Sequence, residues 1–255
     1  RGKYTILVFV ITVSIIVFLF LNLLLGSVSI PFGSVWNILT GGEEDPVAWQ
    51  NIILKSRLPQ ALTALVAGAG LSISGLQMQT IFRNPLAGPS VLGISSGASL
   101  GVAFVVLLSG QLGGVALSRL GFIGEVALSV AAIVGALSVM GLIVLASRKV
   151  AGSVTLLIIG VMIGYIANAV IGVLKFFSVE EDIKAYVIWG LGSFARVSGN
   201  QMMLFVTIMA VIIPLSFLLI KPLNLLMLGD GYARNLGLNI NRARVWVITC
   251  AGVLT

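Results

Sequence analysis

The stretch Thr5–Leu25 runs for 21 residues without a charged side chain. As a helix it would be about 30 Å long, the thickness of bilayer hydrocarbon. A chain that repeats such stretches can satisfy its backbone polar groups away from water only as a bundle of helices or a closed barrel, and runs of this length select helices. Long apolar runs recur at Leu58–Phe82, Val91–Leu108, Phe122–Ala146 (with Glu125 as its one charge), Val154–Leu174 and Met202–Ile220, and a seventh starts near Val245. Charged residues make up 9% of the chain and mean hydropathy is +1.14, whereas soluble domains carry about 25% charge. The sequence therefore predicts an all-α, polytopic transmembrane bundle, read as one domain over residues 1–255.

The first run sits behind Arg1 and Lys3, but it is too long for the core of a signal peptide and no small-residue cleavage site follows it. The last run, Val245–Leu254, would rise only about 15 Å, roughly half a hydrocarbon core. The chain is accordingly expected to be truncated at its C-terminal end relative to the whole protein.

Several chemistries are excluded outright. There is no histidine, which removes Ser-His triads, histidine bases and histidine metal sites. One cysteine, Cys250, allows no intrachain disulfide and reads as a small apolar side chain. Gly93-Ile94-Ser95-Ser96-Gly97 matches the G-x-S-x-G hydrolase pattern, but nothing can activate Ser95 and the motif opens a membrane span. No phosphate-binding G-x-x-x-x-G-K-[ST] loop occurs, so any ATP-driven work requires another polypeptide. No catalytic residue, metal site or cofactor is expected. The net charge of +7 is scattered among apolar segments, which fits membrane topology and not nucleic-acid binding.

Placing the N-terminus in the cytoplasm puts nine Lys and Arg residues inside (Arg1, Lys3, Arg83, Arg148, Lys149, Lys221, Arg234, Arg242, Arg244). Six fall outside: Lys55, Arg57, Arg119, Lys175, Lys184 and Arg196. That bias has the sign of the positive-inside rule. Seven of eight acidic residues, including Glu43–Asp45, fall outside, and only Asp230 falls inside. Glu125 is the ionisable group nearest the membrane interior, and it reads as interfacial. The near absence of buried charge argues against the alternative, a secondary transporter or channel.

Glycines at 93, 97 and 101, and at 160 and 164, recur every four residues. Such positions share a helix face and allow backbones to approach closely, although a pathway lined by small residues has the same signature. The mixed-charge stretch Lys175–Arg196 is expected to hold a short interfacial helix over Ile183–Leu191, anchored by Trp189. The loop 221–244 is the most informative. It is rich in Leu and Met, Pro222 can open a short helix, and Gly229 can break it. Asp230 can cap a second helix ending at Gly237. Apolar side chains on short helices at a membrane face either lie on the interface or need a partner surface.

Two long motifs carry a family resemblance. One runs through Arg57-Leu58-Pro59, Gly68–Gly75, Arg83-Asn84-Pro85-Leu86-Ala87-Gly88-Pro89 and Leu92–Ala98. The other is Leu225–Leu228, Gly229-Asp230, Ala233 and Leu236-Gly237. Together they resemble the FecCD/BtuC family of ABC importer permeases, from the first span to Thr255. The resemblance implies a type II permease of about ten spans, about seven of them begun here, in the bacterial cytoplasmic (inner) membrane. It implies uptake of an iron chelate (siderophore or haem) or cobalamin. The implied partners are a second permease copy forming a homodimer, two cytoplasmic ATP-binding subunits, and a periplasmic or lipid-anchored substrate-binding protein, in addition to membrane lipid. By resemblance, Leu228, Gly229, Asp230, Ala233, Arg234, Leu236 and Gly237 couple to the ATPase. Asn84, Pro85, Leu86, Ser153 and Val154 match loops closing the cytoplasmic end of the pathway. Arg57 matches an outward-facing arginine that docks the binding protein. Gln60 stands where relatives have a further arginine, and Gly231 where they often have an acidic residue.

Overall fold

The computed structural model describes residues 2–42, 47–109, 122–150, 152–197 and 199–255. Glu43–Asp45, Arg1 and Arg119 lie outside them, as do the side chains of Glu125, Ser153 and Arg196. Among the described residues all regular structure is helical. The helices are α1 (Gly2–Leu24), α2 (Phe32–Leu39), α3 (Val47–Ile52), α4 (Leu58–Phe82), α5 (Ile94–Ser109) and α6 (Phe122–Lys149). They continue as α7 (Ser153–Phe177), α8 (Glu180–Gly190), α9 (Gly199–Ser216), α10 (Ile220–Met227), α11 (Asp230–Asn235) and α12 (Ile240–Leu254). A π-helical turn, Ile53–Arg57, joins α3 to α4, and a 3-10 turn, Phe217–Leu219, joins α9 to α10.

Among the described residues five helical segments are long and apolar enough to cross a membrane: Gly2–Leu24, Val47–Phe82, Val126–Lys149, Val154–Phe177 and Gly199–Met227. The expected span at Val91–Leu108 begins later. Pro89–Leu92 forms a 3-10 turn, Gly93 adopts a left-handed φ of +71°, and helix starts only at Ile94. The seventh run starts earlier than Val245, because the Asn239 side chain accepts the Arg242 N–H at 3.1 Å and caps α12 at Ile240. The interfacial helix is also longer than expected. It begins at Glu180, whose acidic first turn Glu180-Glu181-Asp182 complements the helix dipole.

The chain divides into two compact units. The first comprises Arg1–Gly68 and Ser193–Met209, the second Ala69–Gly192 and Ala210–Thr255. In the first, Leu23, Ile30, Val35, Ile38 and Ile53 form a small core while the outer faces of α1 stay apolar and exposed. Exposed apolar residues along a whole helix are what a lipid solvent permits. In the second, Met78, Phe82, Leu92, Ile143, Leu156 and Val247 join α4, α6, α7 and α12.

The glycine spacing does serve close packing, but on two faces. A Cβ on Gly101 would lie 2.1 Å from the Ala131 carbonyl oxygen, and one on Gly135 2.1 Å from that of Gly97, so α5 and α6 touch backbone to backbone. Gly93 precedes α5 and turns towards α7, where a Cβ would meet the Gly160 carbonyl at 2.9 Å.

Candidate functional site

The loop after α9 folds into two short helices: α10 keeps Leu223 and Leu226 inside, and α11 keeps Ala233 inside. Pro222 lies in the first turn of α10, where a missing N–H costs nothing. Gly229 breaks the helix with φ +112°, a backbone open to glycine and strained for other residues. The α11 helix ends in a Schellman motif. Gly237 has φ +85°, its N–H donates to the Arg234 carbonyl (3.0 Å), and Leu238 N–H donates to that of Ala233 (2.9 Å).

Asp230 does not cap α11 as expected. It is the first helical residue, Gly229 occupies the cap position, and the carboxylate reaches two arginines. Oδ1 accepts from Arg83 Nη2 and Oδ2 from Arg244 Nη2, each at 2.8 Å. Arg83 Nη2 also donates to the Leu226 carbonyl at 3.0 Å. One carboxylate thus joins the end of α4, the break between α10 and α11, and the start of α12.

Arg83 holds this place against its own backbone. Its φ is +47°, at the end of α4, where Asn84 N–H donates to the Gln79 carbonyl (3.1 Å) and Arg83 N–H to that of Thr80 (3.3 Å). Glycine is the usual occupant of such a turn, and a side chain there costs about 1–2 kcal/mol. The guanidinium contacts are what that strain positions. Arg244 is only 2% exposed, so its charge is held by the same carboxylate from inside the fold. In the sequence both arginines are topology signals, and Arg83 also opens a family motif, but neither shows a partner. Their partner lies 147 and 14 positions away, and no local pattern shows it.

The turn after Arg83 is built by Asn84, whose Oδ1 accepts the Leu86 N–H at 2.9 Å, with Pro85 fixing the intervening φ. Ala87 tucks into the core and Leu86 stands 87% exposed. Val154, at the start of α7, is exposed as well, and two residues later Leu156 is buried beside Ala87 and Leu92. On the short helices Met227, Leu228, Tyr232 and Leu236 all face outward, with Leu228 and Leu236 each 61% exposed. Arg234 stands exposed among them. The loop therefore has two apolar faces: Leu226, Ala233, Ile240 and Ala243 pack inward, and the second row is presented outward.

Arg57, which the resemblance marks as a docking arginine, is held inside its own unit. It is 6% exposed, Nη1 donates to the carbonyls of Leu23 (2.6 Å) and Leu24 (3.0 Å), and Nη2 donates to that of Val28. Gly26 makes room for it, since a Cβ there would lie 2.7 Å from Nη2. Arg57 satisfies and neutralises the C-terminal end of α1, which is a brace and not an exposed docking charge.

The FecCD transport family's sequence profile matches residues 14–255. The chain belongs to this family. Within it, the chain is 30% identical over 231 residues to the hemin transport system permease protein HmuU of Yersinia pestis, covering 90% of this chain and 66% of that one. It is 34% identical over 226 residues to the vitamin B12 import system permease protein BtuC of Klebsiella pneumoniae, covering 88% and 64%. The chain thus spans about two thirds of the length of these family members. A solved structure described as an inward-facing metal-chelate type ABC transporter matches the whole chain with a TM-score of 0.79 at 27% identity, covering 74% of that chain. The all-helical, multi-pass membrane architecture is the family's.

Proposed function

We propose that the protein is the membrane-spanning permease of an ATP-binding-cassette importer carrying an iron chelate (siderophore or haem) or cobalamin across the bacterial cytoplasmic membrane. In this reading the N-terminus is cytoplasmic and two copies form a homodimer. Two cytoplasmic ATPase subunits supply the work, and a periplasmic or lipid-anchored binding protein delivers the solute. The protein itself is not an enzyme.

The observation that carries the reading is the loop of α10 and α11: an outward apolar row fixed to the ends of two other helices through Asp230. Apolar side chains held rigidly in an otherwise polar turn region suit a protein cleft. A cleft that closes on ATP would move Leu228, Gly229, Ala233, Arg234, Leu236 and Gly237 as one body. Asp230 would pass that motion to α4 through Arg83 and to α12 through Arg244. The turn Asn84-Pro85-Leu86 follows Arg83 directly, so the same motion would displace it, and with it the cytoplasmic closure completed by Ser153 and Val154. Short rigid shifts of this kind are how packed helices switch access from one side to the other.

The test is uptake by the full-length protein in proteoliposomes with its ATPase and binding protein. Accumulation of labelled chelate that needs ATP and both partners supports the reading. Accumulation driven by an ion gradient without the ATPase would favour a secondary carrier.

A further inference from the structure

A groove of about 470 Å³ lies between the end of α9 with its 3-10 turn and the first half of α12. Its walls include Leu215, Leu218, Leu219, Trp246 and Val253, and Thr249 is its one hydroxyl-bearing wall residue. From Trp246 to Val253 the helix rises about 10 Å, a third of a hydrocarbon core. One turn beyond this groove, on the loop side, stand two cations. Lys221 follows Leu218 by three residues, and Arg242 precedes Trp246 by four, spacings that keep each on the face of its lining neighbour. Both are exposed.

Among the described residues neither cation is in an ion pair, and Asp230, the acidic residue nearest to both along the chain, is taken by Arg83 and Arg244. Trp246 is 65% exposed at the junction of the apolar groove and the charged rim, the level at which indole rings settle in bilayers. An apolar slot of acyl depth, an interfacial Trp and two unpaired cations at its mouth are complementary to one molecule.

We propose that this groove is a binding site for an anionic phospholipid, with an acyl chain between α9 and α12 and the headgroup phosphate held by Lys221 and Arg242. A lipid there touches the helix that leads into the α10–α11 loop and the helix that leaves it. Membrane charge would thereby set how firmly that loop is seated.

The test is native mass spectrometry of the purified full-length protein titrated with phosphatidylglycerol or phosphatidylcholine. It needs no ATP, ATPase or solute, so its failure is distinct from failure of the transport reading. Preferential retention of phosphatidylglycerol is expected, weakened about thirtyfold in the Lys221→Gln/Arg242→Gln variant through loss of two cationic contacts. An Arg148→Gln/Lys149→Gln variant, which removes exposed charge at the end of α6, should retain the lipid unchanged. Equal retention of both lipids, or no effect of the first pair, would overturn the site. In native membranes a photocrosslinker replacing Thr249 should capture lipid. Capture of another helix of the chain or of a second copy would show the groove to be a protein contact and end the proposal.

Discussion

Replacing Asp230 by alanine removes the one group shared by α4, the α10–α11 break and α12. Its bond to Arg83 joins two half-exposed side chains, 48% and 41%, and such pairs contribute less than about 1 kcal/mol. The bond to Arg244 is different, because that guanidinium is 2% exposed and would be left buried without its carboxylate. A charge-assisted hydrogen bond of this type is worth about 1.5–3 kcal/mol, and the exposure of Asp230 places it at the lower end. The seated loop should therefore lose about 2 kcal/mol, roughly thirtyfold in its equilibrium with unseated forms. Wherever the unseated forms become dominant, the apparent dissociation constant for the ATPase subunit rises with them. We expect at least a fivefold weakening in a titration of detergent-solubilised permease with its ATPase. Asp230→Asn, which keeps one acceptor oxygen but loses the charge and the second acceptor, should fall between. A double-mutant cycle with Arg244→Ala should show coupling above about 0.5 kcal/mol. An Asp230→Ala protein that binds the ATPase within twofold of wild type, or additive effects in the cycle, would refute the role given to this carboxylate.

Gly101→Val should disrupt the backbone contact of α5 with Ala131, costing about 1–3 kcal/mol and lowering the melting temperature in detergent. Gly237→Ala should destabilise the α11 turn by about 1 kcal/mol, seen as faster amide exchange in residues 230–238 and unchanged elsewhere. Arg57→Ala should destabilise the first unit by about 3 kcal/mol or more, since three carbonyls lose a charged donor. The same variant should leave affinity for the binding protein unchanged once stable protein is selected, and a selective loss of that affinity would contradict the brace.

The spans were legible because a membrane demands long apolar runs, and neither packing nor partners alter that demand. Boundaries were less so: Gly93 belongs by spacing to the α5 glycines, yet its left-handed turn delivers it to α7. The loop's helices, its break at Gly229 and its stop at Gly237 were readable from local backbone chemistry. The carboxylate network was not. Asp230 has the residue type of a cap, and only tertiary proximity shows that two arginines claim both its oxygens. The carbonyl contacts of Arg57 were hidden for the same reason. Charge counting assigns an arginine near a span end to water, whereas the carbonyls that bind it lie 29 to 34 residues earlier.

In the proposed importer the outward row on α10 and α11 seats an ATPase. Leu228 and Leu236 are exposed, so Leu228→Asp/Leu236→Asp leaves the inward core intact. The decisive measurement is copurification of the ATPase subunit with full-length wild-type and variant permease from the same membranes. Capture with the wild type and loss with the variant, at equal permease yield, is the predicted result. Equal capture with both would show that the outward row does not seat the ATPase.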